Sequence, residues 1–106
     1  MAFKYAIFLQ MNATKAWLSL APQERRNFII NDLAPILKKY AAVSIEFYDA
    51  EAYSMRCSDI ALLKTDRLSD YAAMMDDLRK SRLFLEPYFE LLEIIPTMEA
   101  DYLAGA

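Results

Sequence analysis

The first strand that the hydrophobic pattern predicts runs from Phe3 to Met11, where side chains alternate with a period of two. One face of this strand is wholly apolar and carries Phe3, Tyr5, Ile7, Leu9 and Met11. The opposite face is half apolar and carries Lys4, Ala6, Phe8 and Gln10. We therefore expect both faces of the strand to be covered. Asn12 and Thr14 end the run, and Thr14 is placed to cap a short turn that contains Trp17.

Helical spacing follows and predicts one bent helix over residues 22–39. Its apolar stripe recurs every three or four residues, at Ile29, Leu33, Ile36, Leu37 and Tyr40. Pro22 suits the first helical position. Ala21 stands where a capping hydroxyl is usual, and Pro35 lacks the N–H that the helix interior needs. We expect a weak helix start and a kink at Pro35.

The second half of the chain predicts a hairpin, a helix and a last strand. Alternation over residues 43–49 and 56–64 predicts two antiparallel strands with a long loop between them. Asp66 is placed to cap a second helix, whose apolar stripe includes Met75 and Leu78. Residues 88–96 predict the last strand, and residues 98–106 a loose tail.

The resulting order is β-α-β-β-α-β, which is the ferredoxin-like arrangement within the α+β class. Right-handed crossovers place both helices on one face of a four-stranded antiparallel sheet. We expect residues 1–106 to form one such domain. Because the first and last strands are apolar on both faces, the free sheet face predicts a homodimer, a dimeric α/β barrel.

Composition and charge limit the kinds of function and binding site that this chain can have. The chain has 106 residues, 57% of them apolar, and a net charge of −3, which argues against nucleic-acid binding. No apolar run reaches the length of a membrane-spanning helix, and no secretory signal is visible, so we expect a cytoplasmic protein without a membrane partner. Histidine is absent and Cys57 is the only cysteine, so we expect no metal and no cofactor, haem included. The only glycine, Gly105, excludes a glycine-rich phosphate loop.

Five segments spread over nearly the whole chain resemble the darcynin family of small bacterial proteins. They are residues 12–18, 47–53, 56–59, 87–90 and 94–96. The resemblance implies a ferredoxin-like, dimeric α/β barrel and no assigned reaction or catalytic residue. The one departure is Ala21, at a helix cap where the relatives tend to carry a hydroxyl.

The densest polar segment lies in and beside the hairpin loop. Arg56 offers a planar guanidinium that suits a carboxylate or phosphate ligand. Asp59 would point between helices and sheet, where it could act as a base. The alternative is that Arg56 forms an ion pair that pins the loop. Cys57 has no histidine to activate it and is expected to be a buried structural thiol.

Aromatic residues supply the other candidates for ligand binding. Trp17, with Asn12 beside it, follows the first strand and could stack on a flat ligand. The alternative is that Trp17 packs under the first helix. Tyr53 and Tyr88 are possible hydrogen-bond donors in the same pocket.

Three functions remain open from the sequence. The first is a homodimeric protein that binds a small organic molecule between helices and sheet. The second is a non-catalytic structural or interaction module, and the third is a cofactor-independent enzyme resembling monooxygenases or isomerases, which rests on fold analogy. Whether the protein is an enzyme stays undecided by the sequence.

Overall fold

Four strands form one antiparallel sheet in the computed structural model, which describes residues 3–85, 87–100 and 102. The strands are β1 (Tyr5–Ala13), β2 (Ser44–Asp49), β3 (Asp59–Thr65) and β4 (Phe89–Met98). Their order across the sheet is β2-β3-β1-β4, with β2 and β4 at the edges. Helices separate β1 from β2 and β3 from β4, so the predicted ferredoxin-like order is confirmed.

The helical segments are α1 (Lys15–Leu18), α2 (Pro22–Phe28), α3 (Ala34–Lys39) and α4 (Leu68–Lys80). A widened turn of π-helix over Ile29–Leu33, here called the π turn, joins α2 to α3. The helical path is therefore continuous over residues 22–39, as the spacing predicted.

Pro35 accounts for the π turn. A proline inside an α-helix cannot donate a hydrogen bond, and its ring clashes with the carbonyl four residues before it, here that of Asn31. In the π turn the N–H of Ala34 reaches back five residues, to the carbonyl of Ile29. The wider turn makes room for the proline and rotates the side chains that follow.

Two helix starts differ in how they are capped. At α2, Ala21 offers no side-chain cap, but its N–H donates to Glu24 Oε1 at 2.9 Å and so satisfies one backbone group. The prediction that Asp66 caps α4 is wrong: the cap position is Arg67, without a side-chain cap. Asp66 Oδ1 instead accepts the backbone N–H of Lys4 at 2.8 Å, which ties the ends of β1 and β3 together.

The core lies between the helices and the sheet. From β1 and β3 it takes the alternate residues that face the helices, namely Ile7, Leu9, Met11, Ala61, Leu63 and Thr65. The helical segments contribute Phe28, Leu33, Met74, Met75 and Leu78. Thr65 is buried yet satisfied, because its hydroxyl donates to the Ala42 carbonyl at 3.0 Å and accepts the Arg67 N–H at 2.9 Å.

The outer face of the sheet carries an apolar band. Phe8 on β1 pairs with Leu62 on β3 and with Ile95 on β4, so three apolar residues lie side by side across three strands. Phe8 and Leu62 are half-buried, and Ile95 is 36% exposed. Polar residues flank the band, including the ion pair between Lys64 and Glu46 at 3.9 Å.

The last strand is longer than the sequence predicted. Met98, assigned above to a loose tail, pairs with Tyr5 in β4, and the N–H of Glu99 donates to the Lys4 carbonyl at 2.7 Å. The rest of the predicted tail lies outside the described residues, apart from Ala100 and Tyr102. None of the described helices combines the length and the apolar content that crossing a bilayer requires.

A polar contact joins the C-terminal end of α3 to α4 at the surface. The Tyr40 hydroxyl donates to Asp77 Oδ2 at 2.8 Å, and Lys39 Nζ donates to the same oxygen at 3.0 Å. These two hydrogen bonds, that of Tyr40 first, lower the pKa of the Asp77 carboxyl below its ordinary value.

Candidate functional site

An apolar cavity lies between the helices and the sheet. It has a volume of about 240 Å³. Aromatic and aliphatic side chains form most of its wall, namely Trp17, Phe28, Ile29, Leu33, Leu83 and Phe89. At the mouth, Phe47 of β2 is 46% exposed and Ile29 of the π turn 44% exposed, although Phe47 faces the helices. The cavity therefore opens to solvent beside the edge strand β2.

Trp17 is held firmly in the wall of this cavity. Thr14 caps α1 as predicted: its Oγ1 accepts the Trp17 N–H at 3.3 Å. The indole packs against Phe28, Tyr88 and Phe89, with ring centroids 5.1–5.9 Å apart. The guanidinium of Arg25 lies 5.2 Å from the centre of the ring. Trp17 is thus a packing residue that also forms part of the cavity wall, and its stacking on a flat ligand stays a prediction.

Asp59 supplies the carboxylate of the apolar cavity, and no other charged residue is among the described residues that line it. The residue opens β3 and pairs with Met11, on the face turned toward the helices. Its Oδ1 accepts the Ser58 hydroxyl at 2.7 Å. The Ser58 hydroxyl in turn accepts the Ala13 N–H at 2.8 Å. This chain of hydrogen bonds fixes the carboxylate before any ligand arrives.

Asn12 holds the same corner of the sheet from the other strand. Its Oδ1 accepts the Ser58 N–H at 2.9 Å. Asn12 therefore supports the segment that orients Asp59 and does not itself line either cavity among the described residues. Two of the predicted site residues, Asn12 and Asp59, are thus brought together through Ser58.

A second cavity, the polar cavity, shares Phe28 with the apolar cavity and has a volume of about 280 Å³. Charged and amide groups dominate its wall, namely Glu24, Asn27, Asn31, Asp32 and Arg82, with Tyr88. The Tyr88 hydroxyl accepts a hydrogen bond from Arg82 Nη1 at 3.3 Å. Tyr88, a predicted ligand-binding residue, thus belongs to the polar cavity and not to the one that Trp17 and Asp59 line.

The structure places two predicted site residues away from both cavities. Tyr53 is 93% exposed at the tip of the hairpin loop, and Arg56 is exposed in the same loop. The guanidinium of Arg56 makes no ion pair with any described residue, and only its backbone N–H is held, by Ser54 Oγ at 3.0 Å. Cys57 is buried beside Ser54, as expected for a structural thiol.

Sequence reasoning missed most of the apolar wall. Phe28, Leu83 and Phe89 are buried and line the apolar cavity, yet in the sequence they look like ordinary core positions. Pro35 was the available signal, because a proline within a helix disrupts its hydrogen bonds, and the π turns that can result are frequent at functional sites. Among the described residues, no three Cys, Asp or Glu side chains are grouped so that they could hold a metal ion.

Comparison with protein families gives one match over residues 2–105, to the darcynin model, described as a domain of unknown function. Darcynin 1 of Acinetobacter baumannii is 42% identical over 85 residues, which are 80% of this chain and 94% of that protein. The darcynin of Chromobacterium violaceum is 43% identical over 66% of this chain and 89% of that protein.

Solved structures share the fold at low sequence identity. A haem-binding protein from Thermus thermophilus matches 92% of this chain with a TM-score of 0.80 and 16% identity. A mutant chlorite dismutase from Candidatus Nitrospira defluvii matches 94% of it with a TM-score of 0.72 and 15% identity. This chain spans only 40% and 41% of those two chains. At such identity the likeness establishes the ferredoxin-like fold and nothing about activity.

Proposed function

The chain belongs to the darcynin family, and from that premise we propose that it is a homodimer that binds a small organic molecule in the apolar cavity. The observation that carries the proposal is an aromatic and aliphatic wall interrupted by one carboxylate, that of Asp59. Ligand sites are typically apolar, with a few placed polar groups that orient the ligand.

The wall of the apolar cavity indicates the class of ligand. Trp17, Phe28 and Phe89 present aromatic rings, which favour a flat or aliphatic body. The volume of about 240 Å³ is below the roughly 300–1,000 Å³ of drug-sized sites, so the body is small, such as one or two fused rings. Asp59 accepts a hydrogen bond from an N–H or O–H of the ligand. Its negative charge repels anionic ligands.

Haem does not fit this chain, although one protein of the same fold binds it. Haem iron is held in proteins by His, Cys, Met or Tyr side chains. The sequence has no histidine, and no Cys, Met or Tyr is among the described residues that line the apolar cavity. In the polar cavity the Tyr88 hydroxyl already accepts a hydrogen bond from Arg82, and the Tyr88 ring is buried against those of Trp17 and Phe28. The ligand is therefore a different kind of molecule.

The apolar band on the outer face of the sheet supports the homodimer. An antiparallel sheet face that meets water usually shows polar residues at alternate positions. Here Phe8, Leu62 and Ile95 form a continuous apolar row instead. A second copy of the chain would cover this row with the same row of its own, as a two-fold axis requires.

Binding is tested by nuclear magnetic resonance with indole as the probe. Trp17 is the only tryptophan, so its indole N–H gives a single resonance that reports directly on the apolar cavity. We expect added indole to shift this resonance. Asp59→Asn should weaken indole binding roughly fivefold to tenfold, because a hydrogen bond to a charged acceptor is stronger than one to an amide oxygen.

Asp49→Asn is the matched control. Asp49 pairs with Asp59 on the neighbouring strand and on the same face, but it lines neither cavity among the described residues. This variant should bind indole like the wild type, and so should Arg56→Ala. If indole leaves the Trp17 resonance in place at saturating concentration, binding in the apolar cavity is excluded for this class of ligand.

A native mass spectrum of the freshly purified protein tests the assembly and the natural ligand together. We expect the mass of a dimer, with an extra mass that denaturation releases. A monomer at micromolar concentration would refute the homodimer.

A further inference from the structure

We propose that the polar cavity is the second half of the same ligand site, and that it takes the neutral or cationic polar head of a ligand whose apolar body lies in the apolar cavity. The inference rests on the proposed function, since it assigns a complete ligand to a site of which the apolar cavity is one part. It names the ligand class as a small amphiphile, with a ring at one end and a hydroxyl or ammonium group at the other.

Phe28 is the wall that the two cavities share. It lines both of them, and it is buried. Its ring packs against Trp17 of the apolar cavity, with centroids 5.9 Å apart, and edge-on against Tyr88 of the polar cavity, with centroids 4.9 Å apart. The rings of Trp17 and Tyr88 also touch, at 5.5 Å, so the three rings form one cluster where the two cavities meet. Rotation of this one side chain would connect the two spaces.

The π turn places residues in both cavities at once. Ile29 and Leu33 line the apolar cavity, while Asn31 and Asp32 line the polar one. One short segment, widened by Pro35, thus presents apolar side chains to one space and polar side chains to the other. Such a division suits a ligand that changes from apolar to polar along its length.

The volumes of the two cavities give an independent reason to treat them as one ligand site. At about 240 and 280 Å³, each is smaller than the roughly 300–1,000 Å³ of typical ligand sites. Taken together they fall within that range. Neither half alone would enclose a ligand with both a ring and a polar head.

The hydrogen-bonding groups of the polar cavity indicate the head. Asn27 Oδ1 already accepts from Gln23 Nε2 at 2.9 Å, which leaves the Asn27 amide hydrogens for a ligand. No side-chain partner for Asn31 occurs among the described residues, so its amide can both donate and accept. A hydroxyl or an ammonium group matches such partners.

Charge then excludes an anionic head. Glu24 and Asp32 place two carboxylates in the wall of the polar cavity, against the one guanidinium of Arg82. Asp59 adds a third carboxylate, in the wall of the apolar cavity. The combined lining is net negative, so a carboxylate or phosphate on the ligand would be repelled.

Four probes with one ring system test the proposal: indole, tryptophol, tryptamine and indole-3-acetate. All carry the same body for the apolar cavity, and the last three add a neutral, a cationic and an anionic head. With the Trp17 indole resonance as the readout, we expect tryptamine and tryptophol to bind roughly tenfold more tightly than indole, the worth of about one good hydrogen bond. Indole-3-acetate should bind more weakly than indole.

A substitution in the polar cavity tests whether the polar head of the ligand binds there. Asn31→Leu should lower the affinity for tryptamine and tryptophol roughly threefold to tenfold and leave that for indole unchanged. Asn31 is exposed on the helical surface, so the variant should fold. Ser69→Leu, a similar change at an exposed site in α4 that lines neither cavity, is the control and should change none of the affinities.

A smaller side chain at the shared wall gives a second test. Phe28→Leu keeps an apolar core residue but should open the passage between the cavities. We expect the affinity for tryptamine to rise relative to that for indole.

The outcomes separate the two proposals. If indole binds and tryptamine and tryptophol bind no more tightly, or if Asn31→Leu weakens all probes alike, the polar cavity is not part of the site and only this inference is refuted. If indole-3-acetate binds best, the assigned charge of the head is wrong. If indole itself does not bind, the proposed function fails, and this inference fails with it.

Discussion

The two faces of the sheet differ in how far the folded chain explains their apolar residues. Leu62 and Leu63 are neighbours in sequence and point to opposite faces of β3. Leu63 is completely buried beneath the helices, whereas Leu62 is only half-buried in the outer apolar band. Folding alone accounts for the apolar character of the inner face. On the outer face the same character has no counterpart among the residues that the structure describes, which is the physical reason to expect a second copy there.

The largest effect is expected from truncating the inner face. Leu63→Ala should lower the free energy of unfolding by about 2–5 kcal/mol, because it removes buried methyl groups and leaves a cavity in a packed core. Leu62→Ala removes the same atoms from the outer face and should destabilise the single chain less, while weakening the proposed homodimer. Urea unfolding of the two variants, at a concentration where the wild type is monomeric, measures the difference. Equal losses would contradict the distinction between the faces.

Two threonines, one on each face of the sheet, extend the comparison of the two faces to polar side chains. Thr65 is fully buried on the inner face, and its hydroxyl donates to the Ala42 carbonyl and accepts a hydrogen bond from the Arg67 N–H. Thr65→Val should cost about 1–3 kcal/mol, since it leaves two backbone groups without that partner. Thr97→Val removes a hydroxyl that donates to the Ala6 carbonyl at 2.6 Å in an exposed setting, where water can replace it. Thermal unfolding should therefore show a lower melting temperature for Thr65→Val than for Thr97→Val.

A charged side chain on the outer face of the sheet should weaken the association of two chains and should change the stability of the single folded chain very little. Ile95→Lys places an ammonium group in the apolar band, so we expect dissociation to a folded monomer or aggregation. Asp76→Lys introduces the same group on the exposed side of α4 and should leave the dimer intact. Size-exclusion chromatography with light scattering distinguishes these states. A dimer of unchanged stability in Ile95→Lys would move the interface to another surface.

The smallest effect is expected at the surface contact between the C-terminal end of α3 and Asp77 of α4. Hydrogen bonds from Tyr40 and Lys39 lower the pKa of Asp77 below its ordinary value of 3.8. The carboxylate thus stabilises the fold at pH above that value, and the stabilisation is lost as the pH falls through the pKa of the folded state. Melting temperatures of the wild type and Asp77→Asn should therefore differ near neutral pH and converge in acid. A difference in melting temperature that persists at the lowest pH would mean that Asp77 stabilises the fold through packing and not through its charge.

Much of the site depended on contacts that no sequence pattern reports. Asp59 and Trp17 were predicted because a carboxylate on a strand face and an aromatic residue after a strand are local features. Arg56 was predicted on the same local grounds, yet the loop carries it away from both cavities. Tyr88 lines the polar cavity although its ring also packs against that of Trp17, and Phe28, a residue that the pattern marks only as core, lines both cavities.

Alternation and helical spacing determined the order of the elements and the antiparallel sheet, because these follow from the periods of two and 3.6 residues. The missing histidine determined that haem ligation by imidazole is impossible. Only the tertiary structure decided which residues enclose a cavity. Pro35 widens the helix into a π turn, and that turn places Ile29 and Leu33 in the wall of the apolar cavity and Asn31 and Asp32 in that of the polar cavity. A cavity is a relation between elements distant in sequence, so no local pattern contains it.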